Sequence, residues 1–322
     1  MSSTRSRELS PVSGSPFAAG RMIYSSTVDP LGRFAYVTDA ELSGHIFAFS
    51  INPATGALAA ISGSPFTAGA EPAEIAVDPS DRFLYAVNVN SNNVSAYTIN
   101  SSTGALSPIS GSPFAAGAQP FPAAVDPSGR FLYIVSGQDD TISGYTIDSA
   151  TGGLMPIAGS LSGTGCFPVS LALDPSGRFA YVANYGDNTV SAYSLDPGTG
   201  NLSRSIFGTP RTGKGPNSVA IDPSGRFAYV ANKADNTISA YTVNSSTGAL
   251  TPLPSSPFPA GNGPQAAAVD PTGRFLYVAN YDGNNVSVYA IDPSNGSPTE
   301  IAGSPFAAGN NTVSVSISAR IH

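Results

Sequence analysis

One string, Asp-Pro-x-Gly-Arg-Phe, recurs six times along the chain, beginning at residues 29, 78, 126, 174, 222 and 270. The first interval is 49 residues, and each of the next four is 48. Only the second copy departs from the pattern, with Asp81 where the others have Gly. A period of this length is close to the ~40–50 residues of a propeller blade. The repeat therefore predicts a chain of similar units that bury their apolar faces against each other.

Each unit reads as four short strands, which we name A to D in chain order. Around Asp222 we predict strand A at Ser218–Ile221, B at Arg226–Ala231, C at Thr237–Val243 and D at Ala249–Leu253. The segment between A and B has Asp, Pro and Gly at the positions that a type I turn prefers. Strand C alternates between apolar and polar residues, and turn residues recur every 8–12 positions. The pattern predicts an all-β fold, a β-propeller of four-stranded antiparallel blades.

The recurring strand B sequences are Phe179–Asn184, Phe227–Asn232 and Phe275–Asn280, and the strand C sequences that follow include Val190–Tyr193 and Ile238–Tyr241. With these strings the chain resembles the lactonase-type propeller family with YVTN-like repeats. That family includes bacterial 6-phosphogluconolactonase and the fungal carboxymuconate cyclase. The resemblance covers nearly the whole chain and implies a seven-bladed ring. It also implies a lactone hydrolase or cyclase, although the repeated residues build blades and say little about activity.

The blade count depends on the two ends of the chain. Six complete units run from about residue 22 to residue 302, within a single predicted domain at 1–322. Residues 8–17 copy a D strand and its linker, and residues 313–317 copy an A strand. We therefore expect a seven-bladed propeller with one incomplete blade, its missing strands being about 25 residues that precede Met1. The alternative is a six-bladed ring with two loose ends.

Composition excludes several functions. The formal charge is −7 and lysine occurs only twice, which argues against nucleic acid as a partner. No apolar run is long enough for a membrane helix. One cysteine and two histidines leave little for a metal site, so we predict no metal and no cofactor. Scarce lysine with abundant Ser, Thr, Asn and Gly favours an extracytoplasmic location, although no signal peptide is visible. We expect a monomer unless the incomplete blade pairs between chains.

Candidate binding residues are those that differ between repeats, because positions that build the scaffold stay alike. They cluster in the loops between strands B and C, in the linkers from D to the next A, and at the start of strand A. The B–C loops contribute Tyr185, Lys233 and Tyr281, the linkers Arg21, Glu71, Gln119, Phe167 and Lys214, and strand A Tyr24, Phe121, Asn217 and Gln265. We predict that they form a binding surface on the loop face of the propeller. The alternative is ordinary variation of loops.

Glu74 is the candidate catalytic residue. It stands four residues before Asp78 on strand A, where the other units have Ser, Pro or Ala. A carboxylate among small residues lining a channel is a candidate general base with a raised pKa, and the alternative is a solvated channel residue.

Three functions remain open at this point. The favoured one is a scaffold that binds a small molecule, glycan or protein on the loop face. The second is the lactonase-like hydrolase or cyclase, acting on a sugar lactone or related carboxylate. Glu74 would be its base, and Arg21, Lys214 and Lys233 would hold the anionic group. The third is a surface-layer or adhesive module.

Overall fold

The structure is a computed structural model that describes residues 9–41, 43–205 and 207–317. Every regular element in this described part is a β-strand, and the strands form six sheets in chain order, one for each complete repeat. None of the described residues forms a helix that is long and apolar enough to cross a membrane.

The first three repeats each form a sheet of five strands. The first has β1 (Ile23–Val28), β2 (Phe34–Asp39), β3 (His45–Ile51), β4 (Leu58–Ala60) and β5 (Phe66–Thr67). The second has β6 (Pro72–Val77), β7 (Phe83–Asn88), β8 (Asn93–Ile99), β9 (Leu106–Pro108) and β10 (Phe114–Ala115). The third has β11 (Pro120–Val125), β12 (Phe131–Ser136), β13 (Thr141–Ile147), β14 (Leu154–Pro156) and β15 (Ser162–Gly163).

The last three repeats continue the same order. The fourth has four strands, β16 (Pro168–Leu173), β17 (Phe179–Asn184), β18 (Thr189–Leu195) and β19 (Leu202–Arg204). The fifth has β20 (Pro216–Ile221), β21 (Phe227–Asn232), β22 (Thr237–Val243), β23 (Leu250–Pro252) and β24 (Phe258–Pro259). The sixth has β25 (Pro264–Val269), β26 (Phe275–Asn280), β27 (Asn285–Ile291), β28 (Pro298–Glu300) and β29 (Phe306–Ala307).

Each sheet is an antiparallel meander in the order A-B-C-D, and the A strands β1, β6, β11, β16, β20 and β25 pack successively against one another. The predicted propeller of four-stranded antiparallel blades is therefore confirmed. In the fifth repeat, strand C matches its predicted bounds, whereas strand A begins two residues earlier, at Pro216. The linker was expected to be a connection only, but Phe258–Pro259 returns to pair with β22 beside the D strand.

Residues 9–17 and 313–317 contain no strand in the described part of the chain, and residue 8 of the first predicted segment lies outside that part, so the contribution of these segments to a closing blade stays a prediction. A strand needs a ladder of backbone partners, and neither segment has one among the described residues. Residues 313–317 nevertheless run beside β1, where the Ser26 hydroxyl lies 3.1 Å from the hydroxyls of both Ser314 and Ser316. This is the inner position predicted for the incomplete blade, next to six complete ones.

The hydrophobic core lies between neighbouring blades. Phe179 and Tyr181 of the fourth repeat are buried against Val219 and Val230 of the fifth, and equivalent clusters join the other successive repeats. The Tyr181 hydroxyl donates to the Gly248 carbonyl of the next repeat, 2.9 Å away. Burial of the repeated aromatic residues, as predicted, thus fixes each blade against the next.

The turn arginines serve the same packing. Each guanidinium lies over the ring of the following Phe, at 4.7–5.7 Å from the ring centroid. Several also donate across the interface, as Arg178 Nη2 does to the Ser245 carbonyl at 2.6 Å. Packing of the arginine stems accounts for their recurrence better than a ring of anion-binding charges.

Candidate functional site

A cavity of about 790 Å³ opens on the loop face, where the inner strands begin. Its walls come from the starts of the A strands, from two B–C loops and from residues 310–315. Eight of the residues singled out in the sequence lie together in this lining: Arg21, Tyr24, Glu74, Phe121, Asn217, Lys233, Gln265 and Tyr281. These eight residues come from five of the six complete repeats, and Val169 and Ser170 of the fourth repeat line the same space, so all six repeats meet there.

Five other candidates lie outside this lining: Glu71, Gln119, Phe167, Tyr185 and Lys214. Glu71, Gln119 and Phe167 share one repeat position, directly before strand A, with left-handed φ angles of 57°, 47° and 53°. Their carbonyls accept N–H groups of the B–C loops, so this backbone belongs to the scaffold. The Lys214 side chain is exposed, and its backbone N–H donates to Asp235 Oδ2 at 2.6 Å. The structure thus separates Lys214 from the cavity cations Arg21 and Lys233.

The acidic and amide residues of the B–C loops hold the linkers in place, a role that the sequence analysis missed. Asp140 Oδ1 accepts the Phe167 N–H, and Asn188 Oδ1 accepts the Gly215 N–H, each at 2.8 Å. The same bond recurs from Asn92, Asn236 and Asn284. Asn or Asp recurs at this one position of the B–C loops, and that recurrence could have predicted their structural role from the sequence. Among the described residues, no group of His, Cys, Asp and Glu is placed to hold a metal ion.

Small hydroxyls tie the inner strands together beneath the cavity. Ser170 Oγ accepts the Val219 N–H at 3.0 Å, and Ser218 Oγ accepts the Ala267 N–H at 3.1 Å. Both serines stand four residues before the turn Asp of their repeats and join one A strand to the next. Glu74 occupies this same position in the second repeat, so it interrupts the structural pattern.

The Glu74 carboxylate is held by two donors. Ser25 Oγ donates to Glu74 Oε1 at 2.7 Å, and the Ile75 N–H donates to the same oxygen at 3.2 Å. Part of the side chain faces the cavity, while protein atoms surround the carboxyl group. This burial raises the pKa of Glu74 to about 7, against the opposing effect of the two hydrogen bonds. A carboxyl that exchanges its proton near neutral pH is suited to general base chemistry.

A fixed cation stands on another part of the cavity wall, three repeats further along the ring. Lys233 Nζ donates to Gln265 Oε1 at 2.7 Å and lies 4.5 Å from the centroid of the Tyr281 ring. The Asn217 side-chain amide donates to the Gln265 carbonyl at 2.9 Å and thereby joins β20 to β25. The hydrogen bond and the cation–π contact both restrict the ammonium group to this wall.

Aromatic side chains complete the lining. Tyr24 is 46% exposed, and Phe121 and Tyr281 are half-buried. Together with the serines and amides they make a cavity of mixed character, in which apolar faces alternate with hydrogen-bonding groups. Such a lining suits a small polar molecule that also has apolar faces, such as a sugar derivative.

A model of the protein family described as "Lactonase, 7-bladed beta-propeller" matches residues 25–120, 111–207 and 205–316. These three matches together span nearly the whole described chain. The search of curated proteins found no match.

Solved structures share the fold at low sequence identity. A putative 6-phosphogluconolactonase from Bacteroides uniformis is 19% identical, with a TM-score of 0.80 over 90% of this chain and 86% of that one. The periplasmic gluconolactonase of Pseudomonas aeruginosa is 21% identical, with a TM-score of 0.76 over 89% and 86% of the two chains. Hydrazine synthase from Kuenenia stuttgartiensis is 17% identical, with a TM-score of 0.69 over 92% and 90%. Likenesses to proteins with such different names establish the fold and leave the activity open.

Proposed function

The chain belongs to the lactonase family of seven-bladed β-propellers, and from this premise we propose that it hydrolyses a sugar lactone in the central cavity. The observation that carries the proposal is Glu74. At a position that is otherwise small, this carboxyl group is enclosed and held by Ser25, and its side chain belongs to the cavity lining. Two of the structural neighbours bear the names of sugar lactonases, which agrees with the proposal.

In the proposed reaction Glu74, as a carboxylate, takes a proton from a water molecule that attacks the lactone carbonyl carbon. The new C–O bond leaves negative charge on the carbonyl oxygen, and the cavity cations Lys233 and Arg21 are the groups suited to stabilise it. When the tetrahedral intermediate collapses, the bond to the ring oxygen breaks and Glu74 returns its proton to that oxygen. The product is an open-chain hydroxy acid, which ionises to its carboxylate.

The cavity wall favours one orientation of such a substrate. Glu74 belongs to the second repeat and Lys233 to the fifth, so this cation stands three repeats from the base, whereas Arg21 precedes β1 of the neighbouring first repeat. The hydrogen bond to Gln265 and the Tyr281 ring hold the ammonium group of Lys233 in place before any ligand binds. A cation that is already in position needs less reorganisation energy when charge develops in the transition state.

The test follows proton release from glucono-δ-lactone, with the spontaneous hydrolysis subtracted. Removing a general base typically lowers the rate by about 10²–10⁴-fold, and we expect that loss in kcat/KM for Glu74→Gln. Glu300→Gln is the matched control, because Glu300 is an exposed carboxylate on the outer strand β28. An activity that survives Glu74→Gln together with Lys233→Met would exclude this catalytic set.

A second candidate is a binding protein without turnover, and the contacts of Lys233 favour it. Its ammonium group already has Gln265 and Tyr281 as partners, which makes it a recognition group as readily as a catalytic one. In that case the wild type would bind the lactone or its hydroxy acid without hydrolysis. Glu74→Gln would then leave the affinity for these neutral or anionic ligands nearly unchanged.

A further inference from the structure

An exposed phenyl ring stands on the loop face beside the cavity. Phe167 is 55% exposed and has a φ angle of 53°. A bulky residue in the left-handed region is uncommon and carries backbone strain. At the same position the fifth and sixth repeats have Gly215 and Gly263, which adopt this backbone without strain. The scaffold thus needs the left-handed turn but does not need the phenyl ring.

Neighbouring groups hold this ring in a defined place. The Tyr185 ring packs edge-to-face against it, with centroids 5.9 Å apart and planes at 82°. The Tyr185 N–H donates to the Phe167 carbonyl at 2.9 Å, and the Phe167 N–H donates to Asp140. On its other side the Tyr185 ring lies so close to Gly215 that a Cβ there would be 3.0 Å away. We call this pair, Phe167 and Tyr185, the aromatic rim.

The aromatic rim lies at the mouth of the central cavity. Tyr185 has the repeat position of Lys233 and Tyr281, both of which line the cavity. Val169 and Ser170, which follow Phe167 on β16, line it too. The aromatic rim therefore borders the part of the cavity wall that the fourth repeat contributes.

The chemistry around the aromatic rim suits a neutral sugar ring. An aromatic face carries partial negative charge, and it attracts the C–H bonds along the apolar face of a pyranose. Carboxylates stand beside it, since Asp140 accepts the Phe167 N–H and Asp187 accepts the Cys166 N–H. Negative charge at this place disfavours phosphate and carboxylate groups and offers acceptors to hydroxyls.

We propose that Phe167 and Tyr185 form a second sugar subsite, so that the preferred ligand is a disaccharide or longer aldonic acid or its lactone. This rests on the proposed function, because the acid or lactone end would occupy the central cavity. The next sugar ring along the chain would stack on Phe167. The subsite predicts preference by chain length, which the central cavity alone does not supply.

The test measures binding by calorimetry, independently of turnover, with gluconate and with cellobionate as probes. An aromatic contact of this kind corresponds to about three- to tenfold in affinity, so the wild type should bind cellobionate more tightly by that factor. Phe167→Gly should remove the preference and leave gluconate binding unchanged. Phe167→Gln is a second variant, because Gln119 adopts the same backbone at the equivalent position. Phe207→Gly is the matched control, since Phe207 is 58% exposed but stands in a linker none of whose neighbouring residues lines the cavity, whereas Val169 and Ser170 beside Phe167 do.

The outcomes separate this inference from the proposed function. Equal affinity of the wild type for both probes, or equal effects of Phe167→Gly and Phe207→Gly, would overturn the second subsite. If neither gluconate nor cellobionate binds, the second subsite is overturned as well. If cellobionate is preferred and Phe167→Gly removes the preference while no lactone is hydrolysed, the subsite stands and the catalytic proposal fails.

Discussion

Ser25 Oγ donates to Glu74 Oε1 at 2.7 Å and so joins the inner strands of the first two blades through side chains. At the same repeat position, Ser170 and Ser218 instead accept backbone N–H groups of the next blade. Ser25 therefore makes a hydrogen bond to the carboxylate of a cavity-lining residue, where the equivalent serines make a structural one to the backbone. Burial raises the pKa of Glu74, and the Ser25 hydroxyl opposes that rise because it stabilises the ionised form of the candidate base.

The pH dependence of activity should follow Glu74. As the base it must be ionised, so kcat/KM should rise with pH through about 7, the value to which burial raises its pKa. Ser25→Ala removes a hydrogen bond that lowers this pKa, so the rise should move to higher pH. Initial rates across pH 5–8.5 in both proteins, about the range in which a single such group titrates, test this. A profile that Ser25→Ala leaves in place would contradict the assignment.

Stability should depend on pH through the same residue. The folded pKa of Glu74 is about 7, above its ordinary value of 4.5, so the folded state holds the proton more tightly than the unfolded chain. The stabilisation is therefore fully present below the unfolded pKa and is lost as the pH rises through the folded one. Urea unfolding of wild type and Glu74→Gln should show the wild type losing stability relative to the variant between those two values. Parallel curves at all pH values would refute it.

Substitution of a scaffold residue should lower stability, whereas substitution of a cavity residue should weaken ligand binding. Phe179 is buried between the fourth and fifth blades, and Phe179→Ala should cost about 3–5 kcal/mol in the free energy of unfolding. Tyr281→Ala removes a half-buried ring at the cavity wall and should weaken ligand binding with a much smaller loss of stability. Denaturant unfolding and calorimetry on both variants measure the two effects. The reverse order of effects would place the binding surface elsewhere.

The length of the repeat was sufficient to predict the fold, because turn residues and the alternation of apolar and polar residues recur in every unit. It also predicted strand C of the fifth repeat at its observed bounds, Thr237–Val243. It missed the pairing of Phe258–Pro259, since two residues are too short a run to show alternation. The spacing of the linkers groups Lys214 with the cavity residues, although the left-handed turn residue before strand A is its neighbour Gly215. The direction in which a loop side chain points depends on the φ angles of the loop, and the spacing of residues in the sequence does not give those angles.

The one irregular turn offers a stability test. Asp81 replaces the Gly of the other repeats at a φ angle of 60°, and Arg33 pairs with both Asp81 and Asp29. Within the described residues, Asp81 Oδ1 is buried without a hydrogen-bond partner. Asp81→Gly removes this desolvated carboxyl and the backbone strain, while Arg33 keeps Asp29 and the Ser101 carbonyl. An unsatisfied buried polar atom costs about 1–3 kcal/mol, and the greater freedom of Gly in the unfolded chain offsets part of this gain, so we expect roughly 0.5–1 kcal/mol of net stabilisation in urea unfolding. A loss of stability would show that the Arg33–Asp81 pair outweighs these costs.

Amide hydrogen exchange should be fastest where the ring closes. Residues 313–317 are held beside β1 by hydroxyl contacts from Ser26 to Ser314 and Ser316, whereas β6 and β11 belong to complete sheets. Backbone ladders and buried apolar contacts protect amides, and exposed side-chain contacts protect them far less. We therefore expect the amides of 313–317 to exchange faster than those of β6 and β11. Ser26→Ala should accelerate exchange in 313–317 and leave β11 unchanged. Equal protection of this segment and of β6 would mean that it pairs as a full inner strand in solution, which the observed contacts do not predict.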